Sequence, residues 1–144
     1  MKSINNIHST PRSILYTMIR VTDLNRSVEF YQKALGMKEL RRENFTEGRF
    51  TLVFIGYGDE KSATAIELTY NWDQNQYQHG TGFGHIALGV SDIYASCKYL
   101  NKIGVKIVRE PGVMTYAVDE TAHKEEIAFI EDPDGYKIEL VQLN

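Results

Sequence analysis

The stretch Gly84-His85-Ile86-Ala87-Leu88-Gly89-Val90-Ser91-Asp92 decides the fold. Ile86, Leu88 and Val90 fall on one side of an extended chain, and His85, Ala87 and Gly89 on the other. That is the period-two pattern of a strand with one face in a core. The second face is unusual, an imidazole beside two small residues, and such a face makes the wall of a cavity. The pattern recurs: 69 positions earlier the chain reads Tyr16-Thr17-Met18-Ile19-Arg20-Val21-Thr22-Asp23, so that Tyr16 is the positional twin of His85.

Working outward, each copy is followed by the same series of elements. In the first, residues 14–21 read as a strand and Asp23 as an N-cap. Leu24, Val28, Tyr31 and Leu35 then repeat at helical spacing up to a stop at Gly36. Strands are expected over 37–42, 50–57 and 64–70. In the second, a strand over 84–90 leads to Asp92 as N-cap, a stripe of Ile93, Cys97 and Leu100, and a stop at Gly104. Strands over 105–109, 127–130 and 136–142 follow, the last two joined by the turn Asp132-Pro133-Asp134-Gly135, whose proline presets φ. Ile66-Glu67-Leu68 matches Ile138-Glu139-Leu140 at a separation of 72, a difference from 69 that loops absorb easily. The chain therefore reads as α+β. An arm (1–13) precedes a first βαβββ module (14–73), a linker (74–82) and a second module (83–144). An undivided α+β sandwich is the alternative. Residues 110–126, polar and containing Pro111-Gly112, are expected to form a mobile loop.

Composition bounds the function. With 144 residues, 42% of them apolar and 24% charged, the chain can bury a real core. A net charge of -3 argues against nucleic acid or an anionic membrane as partner. No apolar run approaches the roughly 20 residues of a membrane span, and residues 1–12 lack the apolar segment of a signal peptide, so the cytoplasm is the expected compartment. The single cysteine, Cys97, excludes an internal disulfide framework. Its place on the apolar stripe marks it as a buried, inert thiol.

Each half places a carboxylate in the middle of its last strand: Glu67 with Ala65 and Thr69, opposite Ile66 and Leu68, and Glu139 opposite Ile138 and Leu140. An acid there is costly to bury unless something positive compensates it. With His85 these make three ligands at equivalent places of a repeated architecture, a set that suits nickel, cobalt, zinc, iron or manganese. The bland alternative, at even weight on spacing alone, is two strand carboxylates facing water and a core histidine, since no local ligand motif such as His-x-x-x-His is present. His8, His79 and His123 fall in arm or loop segments and are expected at the solvated surface.

From residue 14 onward the sequence resembles glyoxalase I (lactoylglutathione lyase) of the short bacterial type, in the vicinal-oxygen-chelate superfamily. The resemblance is carried by Tyr16-Thr17-Met18-Ile19-Arg20-Val21, Ser27-Val28-Glu29-Phe30-Tyr31, Leu35-Gly36-Met37, Ile66-Glu67-Leu68-Thr69-Tyr70-Asn71-Trp72, Gly84-His85-Ile86-Ala87 and Asp132-Pro133-Asp134-Gly135-Tyr136-Lys137-Ile138-Glu139-Leu140. It implies two βαβββ modules forming curved sheets, paired between the chains of a homodimer with its active sites at the interface. It implies a divalent metal, nickel or cobalt ahead of zinc, held by Glu67, His85 and Glu139, with the fourth ligand position falling on Tyr16, where the family has His or Gln.

The implied reaction converts the hemithioacetal of methylglyoxal and glutathione to S-lactoylglutathione, with glutathione as co-substrate. Glu139 is the implied proton-transferring base and Glu67 its counterpart across the metal. Arg20 and Asn71 fall on positions that hold the γ-glutamyl part of glutathione, and Arg109 on a basic position near its glycine carboxylate. A second family arginine is replaced by Thr81, and Lys124 lies in a loop that departs from the family pattern. Two other readings are a related isomerase or epimerase on another chelating substrate, and a metal-free small-molecule binding protein on the same fold.

Overall fold

The computed structural model describes residues 8–144. Of the expected arm, residues 1–7 lie outside the described residues, and 8–13 carry neither helix nor strand. The first half forms β1 (Tyr16–Arg20), α1 (Leu24–Lys33), β2 (Lys38–Phe45), β3 (Phe50–Gly56) and β4 (Ala65–Asn71). The second forms β5 (Ile86–Val90), α2 (Ile93–Lys102), β6 (Ile107–Val113), β7 (Glu126–Glu131) and β8 (Lys137–Gln142). Each half folds into its own four-stranded sheet with the same topology, β1-β4-β3-β2 and β5-β8-β7-β6. In both, the first strand pairs in parallel with the last, and the other pairings are antiparallel. This is the duplicated βαβββ architecture, and the undivided sandwich is set aside.

The helices form where the sequence places their signals. Asp23 and Asp92 cap the two N-termini, each carboxylate accepting from a backbone N–H three residues on. Leu24, Ser27, Val28 and Tyr31 line the buried stripe of α1, and Ile93, Cys97 and Leu100 that of α2. Gly36 and Gly104 end them at φ 71° and 86°, a region closed to most side chains. The buried stripes and the inward faces of both sheets merge into one core, with Ile19, Val21, Val53, Ile55 and Leu68 from the first half and Ala128, Ile130, Ile138 and Leu140 from the second.

A polar latch also joins the halves. The turn before β8 reaches back to the entry of α1. There Asp134 accepts from the Thr22 N–H (3.1 Å) and hydroxyl (2.6 Å) and from Ser27 Oγ (3.3 Å). Tyr31 donates to the buried Asp132 at 2.7 Å, and Tyr136 donates to the Arg20 carbonyl at 2.7 Å.

Three expectations need correction. The strand read over 84–90 begins at Ile86, leaving His85 just ahead of it. The segment read as a mobile loop from 110 is strand up to Val113. Pro111 is tolerated there because β6 is an edge strand and its ladder shifts register between Arg109 and Gly112, where a missing N–H breaks no pairing. Beyond it, 114–125 continues as a hairpin tied by bonds from Met114 to Glu125 (2.9 Å) and Val118 to His123 (2.9 Å). Finally, His79 is half-buried, its ring stacked on Tyr136 with centroids 4.0 Å apart.

Candidate metal centre

Register assembles the first half of the site. Pairing of Tyr16 with Ala65, Met18 with Glu67 and Arg20 with Thr69 puts Tyr16, Met18, Arg20, Ala65, Glu67 and Thr69 on the face of the first sheet away from the core. Phe54 lies opposite Glu67 on β3, and Tyr16 meets its ring edge-on with centroids 5.0 Å apart. The Arg41 guanidinium sits 3.6 Å from the same Phe54 centroid and is held by Glu60 at 2.8 Å. Glu67 is only 8% exposed. Its Oε2 accepts the Thr69 hydroxyl at 2.6 Å, and among the described residues no cationic side chain pairs with it.

The second sheet supplies the other half. Ala87 pairs with Glu139 across β5 and β8, and Phe129 pairs with Glu139 across β7 and β8. His85 Nε2 lies 3.3 Å from Glu139 Oε1, and the imidazole meets Phe129 edge-on at 5.1 Å. Among the described residues no group of three or more His, Cys, Asp or Glu side chains converges on one point. The chain thus presents two incomplete donor sets, a phenol with a carboxylate on one sheet and an imidazole with a carboxylate on the other.

The chemistry of these sets fits a divalent cation. Imidazole nitrogen and carboxylate oxygen are ordinary donors for nickel, cobalt and zinc. A carboxylate as buried as Glu67, with one hydroxyl for company, lacks the positive charge that would offset its desolvation. Neither set fills a coordination shell alone.

The substrate-binding candidates are placed differently from one another. Arg20 is exposed on β1, at the end of the row that holds Tyr16 and Met18. Asn71 closes β4, its amide donating to the Tyr77 hydroxyl at 3.0 Å. Arg109 stands on the open face of the second sheet opposite Phe129. Its guanidinium donates to the carbonyls of Glu110 (3.0 Å), Gly112 (2.8 Å), Val113 (2.7 Å) and Ile127 (2.9 Å). It satisfies acceptors that the irregular β6 ladder leaves over. Arg109→Ala is accordingly expected to cost about 2 kcal/mol of stability, read as a lower urea midpoint. Arg109→Lys should recover only part of it, because one ammonium cannot serve a fork of carbonyls.

Thr69, Phe54, Arg41 and Tyr77 were not read as site residues from the sequence. Thr69 was within reach, since its spacing from Glu67 puts both on one strand face. The Tyr16–Phe54–Arg41 stack depends on the β3 register, which no local pattern reveals.

Comparison with known proteins follows the same lines. Residues 13–140 match the model of the Glyoxalase/Bleomycin resistance protein/Dioxygenase superfamily. A probable lactoylglutathione lyase of Synechocystis is 53% identical over 129 residues, covering 90% of this chain and 94% of its own. The lactoylglutathione lyase of Neisseria meningitidis serogroup A is 50% identical over 129 residues, covering 90% and 89%. Among solved structures, the trypanothione-dependent glyoxalase I of Leishmania major superposes with a TM-score of 0.78 at 45% identity, covering 92% of this chain and 87% of that one.

Proposed function

The chain belongs to the Glyoxalase/Bleomycin resistance protein/Dioxygenase superfamily, and from that membership and its close relatives we infer that it is a lactoylglutathione lyase. It isomerises the hemithioacetal of methylglyoxal and glutathione to S-lactoylglutathione. The observation that carries the reading at the site is the pair His85 and Glu139, 3.3 Å apart, matched at the twin position of the first sheet by the buried, uncompensated Glu67.

Because each sheet carries an incomplete donor set, we propose a homodimer. Tyr16 and Glu67 of one copy and His85 and Glu139 of a second would hold the metal, nickel or cobalt ahead of zinc. When bound, it supplies Lewis-acid stabilisation of the negative charge that develops on the substrate oxygens. Glu139 takes the proton from the carbon that bears sulfur and returns it to the neighbouring carbonyl carbon. The hydroxyl proton of the first carbon passes to the oxygen of the second, leaving a thioester carbonyl beside a new hydroxyl. Glu67 stands across from it as ligand and counterpart. Arg20, roughly 13 Å from Tyr16 at about 3.3 Å per residue, and Asn71 engage the γ-glutamyl end of glutathione. Arg109, its guanidinium committed to backbone carbonyls, contributes charge near the glycine carboxylate. The cytoplasm is the proposed compartment. A buried thiol at Cys97 suits it, and among the described residues no helix is long and apolar enough to cross a membrane.

The test is to strip the protein of metal, restore nickel, cobalt or zinc separately, and follow thioester formation from methylglyoxal and glutathione. Activity should vanish and return with at least one metal, and silence with all three defeats the assignment. Tyr16→His tests the altered ligand. Imidazole nitrogen is a better donor to these metals than a phenol oxygen, so the histidine variant is expected to bind metal at least about tenfold more tightly, a difference of about 1.4 kcal/mol. Unchanged affinity would mean that Tyr16 serves the metal as well as a histidine does.

A further inference from the structure

The duplication makes Glu67 and Glu139 twins, and the residue two places on from each lies on the same strand face. In the first module that residue is Thr69; in the second it is Val141. The difference is chemical. The Thr69 hydroxyl donates to Glu67 Oε2 at 2.6 Å, within a pair of residues only 7% and 8% exposed. That length belongs to a charge-assisted O–H···O⁻ bond, among the stronger neutral-to-ion contacts a side chain makes. Glu139 has a methyl-bearing neighbour in the same place and meets His85 instead.

A glutamate side chain has several staggered rotamers to choose among. Successive same-face residues of a strand stand about 6.6 Å apart, so Glu67 reaches the Thr69 hydroxyl only by lying along the strand. The bond selects that orientation and occupies one carboxylate oxygen, leaving Oε1 as the free donor.

We propose that Thr69 is a positioning residue that fixes Glu67 as a metal ligand, a restraint that Val141, which lacks a hydroxyl, does not give Glu139. This rests on the reading of Glu67 as a ligand. The duplicated halves are thereby unequal, one carboxylate held by a hydroxyl and the other meeting only the His85 imidazole. A purely structural threonine would behave differently: its loss would lower the melting temperature and leave metal affinity unchanged.

The experiment titrates the metal-free forms of wild type, Thr69→Val and Thr69→Ser with nickel and with cobalt by calorimetry, alongside thermal melts of the metal-free proteins. Thr69→Val is expected to bind about 10- to 100-fold more weakly, the usual effect of deleting the group that orients a ligand, and Thr69→Ser to stay within about threefold of wild type. Metal-free Thr69→Val should melt below wild type, because a buried carboxylate oxygen loses its donor, and Thr69→Ser close to it. If Thr69→Val does not fold, Thr69→Ala carries the same expectation. Wild-type affinity in a folded Thr69→Val or Thr69→Ala protein overturns this inference alone, whereas a wild type that binds neither metal sinks the ligand assignment and this inference with it.

Discussion

Glu139→Gln is expected to lower kcat for thioester formation by about 10²- to 10⁴-fold, the range that a positioned general base contributes. The amide keeps the shape of the side chain and an oxygen that can still act as a donor to metal, but it cannot accept and return a proton. Its surroundings sharpen the comparison. The Glu139 side chain is 16% exposed and lies beside an imidazole, with no hydroxyl restraining it. Elemental analysis of the variant separates lost chemistry from lost metal. A protein that retains its metal and stays within about tenfold of wild type, a change of only about 1.4 kcal/mol in the barrier, would remove Glu139 from the role of base. Glu67→Gln should show the opposite balance, with the larger loss in metal content.

Asp132→Ala is expected to cost about 3–5 kcal/mol of stability. The residue is 5% exposed, and its carboxylate accepts from Tyr31 Oη (2.7 Å) and from the backbone N–H groups of Asp134 and Tyr136 (both 2.9 Å). Alanine would leave a buried phenol and two amides without acceptors. It would also loosen the turn through which Asp134 holds Thr22 and Ser27, so the damage spreads to the contact between the modules.

The loss should depend on pH. Burial pushes the Asp132 carboxyl above the ordinary aspartate range, outweighing the opposing pull of the Tyr31, Tyr136 and Asp134 donors. A raised folded-state pKa means that the native chain binds the proton more tightly than the unfolded one. The associated stability is therefore complete below the unfolded value of about 3.9 and declines as pH rises through the raised folded value. The difference between wild type and Asp132→Ala, measured by urea unfolding, should be largest in acid and shrink toward neutrality. A difference that grows with pH, or one below about 1 kcal/mol in acid, would contradict the account.

What could be read from the sequence was what repeats within a few residues. The stripe Leu24, Val28 and Tyr31, the caps at Asp23 and Asp92, and the alternation around Ile86 and Leu88 are local signals, and the structure honours them. Glu67, His85 and Glu139 stood out for the same reason, since a polar group opposite an apolar strand face is visible without knowing the partner strand. Contacts across long separations were not legible. Thr22 and Asp134 are 112 positions apart, and nothing near either one announces the other. Pro111 misled because proline argues against a strand unless the strand is known to lie at an edge. The stack of His79 on Tyr136 needed the path of the linker, which its polar composition does not specify.

The separation of the proposed ligands onto two sheets, which among the described residues bring no three acidic or imidazole groups together, has a genetic consequence. In the proposed homodimer, a mixed pair of one polypeptide damaged only in its first half and another damaged only in its second would still build one sound centre, from the intact half of each. Two alleles, each inactive by itself, would therefore rescue one another when expressed together.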